Sequence, residues 1–198
     1  MECFCGFTYE KILINKTKFY ICKKCGHLLK EETISDVLEK QRYDQHICDD
    51  GYHKYMYGVY NKINPYLNKG DSLDFGCGQI HLLSDILNSN GYNSYYYDKY
   101  YYPNEVNNTF DNIILIEVFE HILDGYSLLL DLKSKLNSNG KIIIMTQIIP
   151  DNINNWWYLR DITHVSFYSL DALKALAMKL EMCFEYDLNN SIFIFKRI

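Results

Sequence analysis

Two groups of residues in this 198-residue chain have types and spacings that could do chemistry. The first is a glycine corner, Gly76-Cys77-Gly78, set between the apolar run Ser72-Leu73-Asp74-Phe75 and an amphipathic segment reaching Leu87. Glycines there let the backbone turn sharply and let a ligand approach with no side chain in the way. Asp98 closes a second strand expected over Asn93 to Tyr97, where a carboxylate can accept hydrogen bonds from the hydroxyls of a ribose. Strand, glycine loop, helix, strand and acid in that order predict an adenosine-containing cofactor across the carboxyl ends of parallel strands. The third glycine of the dinucleotide pattern is missing, so a nucleoside without phosphate is favoured over a pyrophosphate.

The second group is Cys3, Cys5, Cys22 and Cys25. Four thiolates on two paired turns suit a tetrahedral zinc ion, and a segment this short cannot build a core without such a staple. Four sulfur ligands leave no open position, so the predicted ion is structural. The second pair has the ordinary Cys-x-x-Cys spacing; the first is one residue short. A degenerate site without metal, or a chance cluster, are the rival readings, and His27 could replace Cys3 or Cys5. Phe7 to Ile21 reads as a hairpin turning near Asn15-Lys16.

The elements that must position these groups follow from periodicity. A helix is expected from Thr33 or Ser35 to about His46, with Leu38 and Tyr43 on its apolar side, and another from Tyr52 to Tyr66. Tyr43 and His46 read as packing residues at that junction. Asn112 to Glu117 is apolar on both faces, as a central parallel strand is. Asp124 caps a helix over Tyr126 to Leu136, Asn139-Gly140 turns the chain, and Lys141 to Thr146 is a further strand. A loop over Gln147 to Tyr168 precedes a helix from Leu170 to Leu180 and a terminal antiparallel hairpin turning at Asn189-Asn190.

Composition excludes some classes. The net charge of -5 argues against a general nucleic-acid binder, which needs concentrated lysine and arginine. Six lysines between Lys11 and Lys30 nevertheless make the first segment locally basic, so RNA is not excluded as a partner. No apolar run is long enough for a membrane span, and Met1-Glu2-Cys3-Phe4-Cys5 is no secretory signal, so a cytoplasmic location is the expectation. The seven cysteines then favour metal ligands or free thiols over disulfides. The 19 tyrosines read as compositional bias and receive no functional weight.

Leu73-Asp74-Phe75-Gly76-Cys77-Gly78, Asp98, Glu117-Val118-Phe119-Glu120-His121 and the terminal hairpin together resemble the class I S-adenosylmethionine-dependent methyltransferases. The cysteine pairs and the stretch Trp156 to Ser169 resemble a bacterial group of small zinc-knuckle methyltransferases. The resemblance implies an α/β Rossmann-like fold, mostly parallel, with an antiparallel C-terminal hairpin strand. The twelve residues Lys99 to Phe110 imply that the usual third strand is missing. The implied organisation is a zinc knuckle over 1–30, a helical connector over 31–48 and a methyltransferase domain over 49–198.

By the same resemblance, Asp74, Gly76, Cys77 and Gly78 hold the methionine part of S-adenosylmethionine, Asp98 and Lys99 border its ribose, and Glu117 and Val118 flank it. Tyr100, Tyr101 or Tyr102 is expected at the adenine. Gln79 and Ile80 depart from the family pattern and are expected to narrow the corner. On the acceptor side, His164 and His121 are the candidate proton-transfer residues. Trp156, Trp157, Tyr158, Arg160 and Asp161 are the candidate substrate contacts, Arg160 through its planar fork. The bland readings are that Glu120-His121 braces the next helix, that His164 anchors its loop, and that the tryptophans plug it. The expected activity is methyl transfer to a small-molecule or sugar-like acceptor. The rivals are an RNA or protein methyltransferase docking through the knuckle, and a non-catalytic donor-binding scaffold.

Overall fold

The computed structural model describes residues 1–104 and 106–197. Its first strands, β1 (Tyr9–Ile14) and β2 (Thr17–Cys22), form an antiparallel hairpin with Ile14 opposite Thr17. Asn15 and Lys16 take φ of 50° and 68°, the two left-handed residues that a two-residue turn between twisted strands requires. The short β3 (Leu28–Lys30) pairs with β2.

Helix α1 (Asp36–Tyr43) starts where expected, with the Ser35 hydroxyl accepting from the Leu38 amide. Its buried face differs from the expectation: Leu38 is exposed and the buried side chain is Glu39, because α1 lies over a cleft where Glu39 meets Lys99 and Tyr100 rather than over the sheet. Helix α2 (Asp50–Ile63), capped by Asp49, buries Met56, Val59 and Ile63 at three- and four-residue spacing, and a 3-10 turn with Pro65 ends it.

The strands β4 (Asp71–Phe75), β5 (Asn93–Tyr97), β6 (Phe110–Ile116) and β7 (Leu136–Met145) run parallel. Helix α3 (Leu82–Ser89) joins β4 to β5, and α4 (Gly125–Ser134), capped by Asp124, joins β6 to β7. Beyond β7 come β8 (Ser166–Phe167), α5 (Leu170–Lys179) capped by Ser169, β9 (Met182–Asp187) and β10 (Ile192–Arg197). The large sheet has the order β5-β4-β6-β7-β10-β9, with β10 antiparallel to both its neighbours. Ile113, Ile114, Leu115, Ile142, Ile143 and Ile144 are fully buried, since helices cover both faces. Between Asp98 and Thr109 no described residue joins the sheet, so β5 is its edge.

Two boundaries differ from expectation. β7 starts at Leu136, and Asn139 (φ 62°) and Gly140 sit inside it where the ladder with β6 slips register. In the last hairpin the left-handed residue is Ser191 (φ 55°) rather than Asn189 or Asn190.

The segment expected as one long loop also contributes a strand. β8 pairs antiparallel with β3, Leu28 opposite Phe167 and Leu29 opposite Ser166, so the small sheet reads β1-β2-β3-β8. Further ties follow the same seam: the Lys30 amide donates to Val165 O (2.8 Å) and Ser169 Oγ to Cys25 O (2.5 Å). No helix among the described residues is long and apolar enough to cross a membrane.

Candidate active site

The glycine corner follows β4 with φ of 81° at Gly76 and 72° at Gly78. The Gly76 and Cys77 amides donate to Tyr97 O at 2.7 and 3.1 Å, which ties the corner to the end of β5. A Cβ on Gly76 would lie 2.5 Å from Val118 Cγ2, so this position needs glycine for close packing as well as for its dihedral. A Cβ on Gly78 would meet nothing within 4 Å: that side opens onto a cavity of about 410 Å³.

Asp98 stands beside the corner. Its Oδ2 accepts from the Gly78 amide (3.1 Å), and its Oδ1 from the amides of Tyr100 (2.8 Å) and Tyr101 (3.1 Å). Of the roughly four lone-pair sites of a carboxylate, three are thus in use, which orients the group and leaves an acceptor site on Oδ2. Asp74, at the bottom of the cavity, is 4% exposed. Burial, reinforced by the charge of Asp98, pushes its carboxyl up to about 7, against a backbone hydrogen bond from Ser84.

Helix α1 lies over one side of this cleft. Glu39 accepts from Lys99 Nζ (2.5 Å), Tyr100 Oη (2.5 Å) and Tyr43 Oη (3.0 Å). Gln79 Nε2 donates to Tyr43 O (2.9 Å), so the residue expected to crowd the corner instead ties the end of α1 to it. Ile80 is not part of the cavity wall. Tyr100 and Tyr101 are, whereas Tyr102 turns away and donates to Gln79 O (3.0 Å). Tyr43, His46, Tyr52 and Tyr55 complete the aromatic wall. The only signal for them in the sequence was the density of tyrosine between Tyr43 and Tyr55.

At the other end, Glu117 takes φ of 51° and presses Val118 against Gly76. Next to it lies a buried polar cluster. Thr146 Oγ1 donates to Glu120 Oε2 (3.0 Å), and Tyr158 Oη bonds to Glu120 Oε1 and lies 2.9 Å from Glu117 Oε2. Burial and the charge of Glu117 push Glu120 up to about 8. His121 Nδ1 is bonded to Thr163 O (3.1 Å) and His164 Nδ1 to Tyr158 O (2.9 Å). Burial, with His164 close by, holds His121 down to about 4, and burial lowers His164 as well. Such weak bases suit holding a ligand better than taking its proton at neutral pH.

The cavity wall includes Asp74, Gly76, Cys77, Gly78, Asp98, Lys99, Glu117, Val118 and His121, so the structure brings together every residue singled out for the donor. His164 stands behind His121, rings 4.7 Å apart and edge-on. The five expected substrate contacts lie off the wall. Trp156 packs on Tyr158 and Phe167, Trp157 and Arg160 are exposed, and Tyr158 is buried. Asp161 accepts from the Thr163 amide (2.9 Å) and reaches Arg42 (3.4 Å). The pairing of β8 with β3 draws this segment toward the small sheet.

The four cysteines also converge. Cys3 Sγ lies 3.6 Å from Cys25 Sγ, Cys5 Sγ lies 3.3 Å from Cys22 Sγ, and all four sulfurs fall within 4.8 Å of one another. Tetrahedral zinc at roughly 2.3 Å from each sulfur needs about 3.8 Å between sulfurs, so the group fits a metal ion. His27 is outside it: its nitrogens engage Tyr9 Oη (2.5 Å) and Ser166 Oγ (2.9 Å). The basic surface nearby is partly neutralised. Lys11 and Lys18 face Glu31, and Lys30 Nζ is bonded to Asp161 O (2.9 Å).

No curated protein matches the sequence. Among solved structures, the chain is similar to TnmH, with a TM-score of 0.56 at 11% identity over 74% of this chain and 55% of that one. It is similar to an O-methyltransferase family protein from Burkholderia thailandensis, with a TM-score of 0.56 at 8% identity over 80% and 62%. It is also similar to CalS10, an amino pentose methyltransferase from Micromonospora echinaspora, with a TM-score of 0.53 at 12% identity over 85% and 99%. The chain therefore spans little more than half the length of the first two, and at these identities the likeness is one of fold. The family described as Methyltransferase domain matches residues 41–180, which include the glycine corner, Asp98 and the Glu117 to His121 turn. With most of its length and all of its cleft wall but Glu39 inside that match, the chain belongs to the methyltransferase-domain family.

Proposed function

We propose that this chain transfers the methyl group of S-adenosylmethionine to a small-molecule or sugar-like acceptor. The observation that carries the reading is the cavity over β4 and β5, bordered by Gly78 on its open side and by the amide-held carboxylate of Asp98. In this reading Asp98 accepts from the ribose, Tyr100 and Tyr101 flank the adenine, and Asp74 with Gly76, Cys77 and Gly78 holds the methionine end. Lys99 acts indirectly, by fixing Glu39 and α1 over the cleft. The donor supplies an electrophilic methyl group on a sulfonium. The protein aligns it with the acceptor and keeps water away. Glu117 and Val118 border the sulfonium, and His121, backed by His164, is the polar contact for the acceptor at that end.

The 1–30 segment then serves as a structural zinc knuckle on Cys3, Cys5, Cys22 and Cys25, residues 31–48 as the connector that covers the cleft, and 49–198 as the transferase domain. Calorimetric titration with S-adenosylhomocysteine tests the donor site. Saturable binding near equimolar ratio is expected, and no heat together with no thermal shift at roughly millimolar ligand would refute it.

A further inference from the structure

Three potential ligand groups converge beside the cleft, His121 on its wall with Glu120 and His164 buried behind it. His121 and His164 each direct Nδ1 at a backbone carbonyl, Thr163 O at 3.1 Å and Tyr158 O at 2.9 Å. A carbonyl only accepts, so both rings carry their proton on Nδ1 and offer Nε2 as a lone pair. His121 Nε2 lies 4.0 Å from Glu120 Oε1, and one ligand atom from each of Glu120, His121 and His164 falls within 4.8 Å of the others. No fully buried side-chain nitrogen or oxygen among the described residues lacks a hydrogen-bond partner, so the two Nε2 atoms, which have none, border space open to a small ion. The two imidazole lone pairs, set close together in a half-dry site, repel until a cation lies between them, and a cation held there also by Glu120 takes the place of the proton that burial keeps on that carboxyl.

We propose that Glu120, His121 and His164 hold a first-row divalent cation at the wall of the cleft. Two imidazoles and one carboxylate suit zinc, iron, cobalt or manganese; magnesium and calcium prefer oxygen alone. The supports expected around such ligands are in place. Each imidazole is oriented by a carbonyl on its far nitrogen, and Glu120 is held by the Thr146 hydroxyl at 3.0 Å and by Tyr158. Three protein ligands leave positions open, unlike the four sulfurs of the cysteine cluster. Because His121 belongs to the cavity wall, those positions suit an oxygen or nitrogen of the methyl acceptor. That last step rests on the methyltransferase reading; binding of the cation does not. The rings then serve as ligands, which agrees with their being kept neutral.

The test uses the full chain with its cysteine cluster loaded with zinc, titrated with cobalt(II). About one further cobalt per chain is expected, with visible d–d absorption but no sulfur-to-metal charge-transfer band. His164→Gln should weaken that binding at least roughly tenfold while leaving the cysteine-held zinc and the affinity for S-adenosylhomocysteine unchanged. Glu120→Gln, close in shape, provides a second variant should the first fail to fold. The proposal is overturned if no further cobalt binds, if a charge-transfer band shows that thiolates hold it, or if whichever variants fold bind cobalt as before. Cobalt bound without affinity for S-adenosylhomocysteine would instead defeat the donor reading and leave the metal site standing.

Discussion

Asp74→Asn replaces a buried carboxyl with a group of nearly the same shape, and its effect on stability can be worked from the structure. The carboxyl has an ordinary value of 3.8 and is held up to about 7 in the fold, mainly by burial. Between those values the folded chain keeps a proton that the unfolded chain has released. Stability carried by this group is therefore present at low pH and is lost as pH rises through about 7. From about pH 5 to about pH 8 the loss amounts to roughly two pH units of linkage, or about 2–3 kcal/mol. Asparagine does not titrate, so the variant should be spared that loss. The amide oxygen can still accept the Ser84 backbone hydrogen bond, which keeps the comparison one of charge. Urea unfolding of both proteins at the two pH values gives the difference directly, since all other titrating groups cancel between them. The stability gap should move in favour of Asp74→Asn by about 2–3 kcal/mol on going to the higher pH. A gap that stays constant within about 0.5 kcal/mol would show that Asp74 ionises freely and that the bottom of the cleft is wet.

Three other outcomes follow from contacts described above. Asp98→Ala removes the acceptor of three amides and the proposed ribose contact, so the dissociation constant for S-adenosylhomocysteine should rise at least about tenfold; an unchanged constant contradicts the role. Gly76→Ala places a Cβ 2.5 Å from Val118 at a left-handed φ, and should cost roughly 1–3 kcal/mol in thermal unfolding, with an unaltered melting temperature arguing against the close packing. Cys22→Ser should lower the zinc content by about one per chain by elemental analysis, and equal metal content in the two proteins would remove the cysteine site.

The half of the cleft around the glycine corner was legible because its logic is local. β4, the glycine corner, α3 and β5 follow one another without interruption, and Asn93–Tyr97 has the bounds its residues suggested. The covering side was not. Glu39 reads in sequence as one more charge on a polar helix, and its partner Lys99 is sixty residues away. Tyr43 and Tyr55 likewise gain meaning only when α1 and α2 are laid over the strand ends. The segment expected at the acceptor lies off the cavity wall for a different reason. Trp156 to Asp161 have the composition of a binding wall, but a two-residue strand shows no periodicity, so nothing in the sequence announced that β8 would carry them to the small sheet.

That borrowed strand also constrains how the protein is made. The cysteine-bearing hairpin leaves the ribosome well before the segment that closes its sheet, which is synthesised 139 residues after His27, whose Ser166 partner it supplies. Until then β3 presents an unpaired edge, the kind of surface on which nascent chains associate. Early capture of a cation by the four thiols would hold the hairpin in shape through that interval, so such an ion would be needed most during translation rather than during turnover.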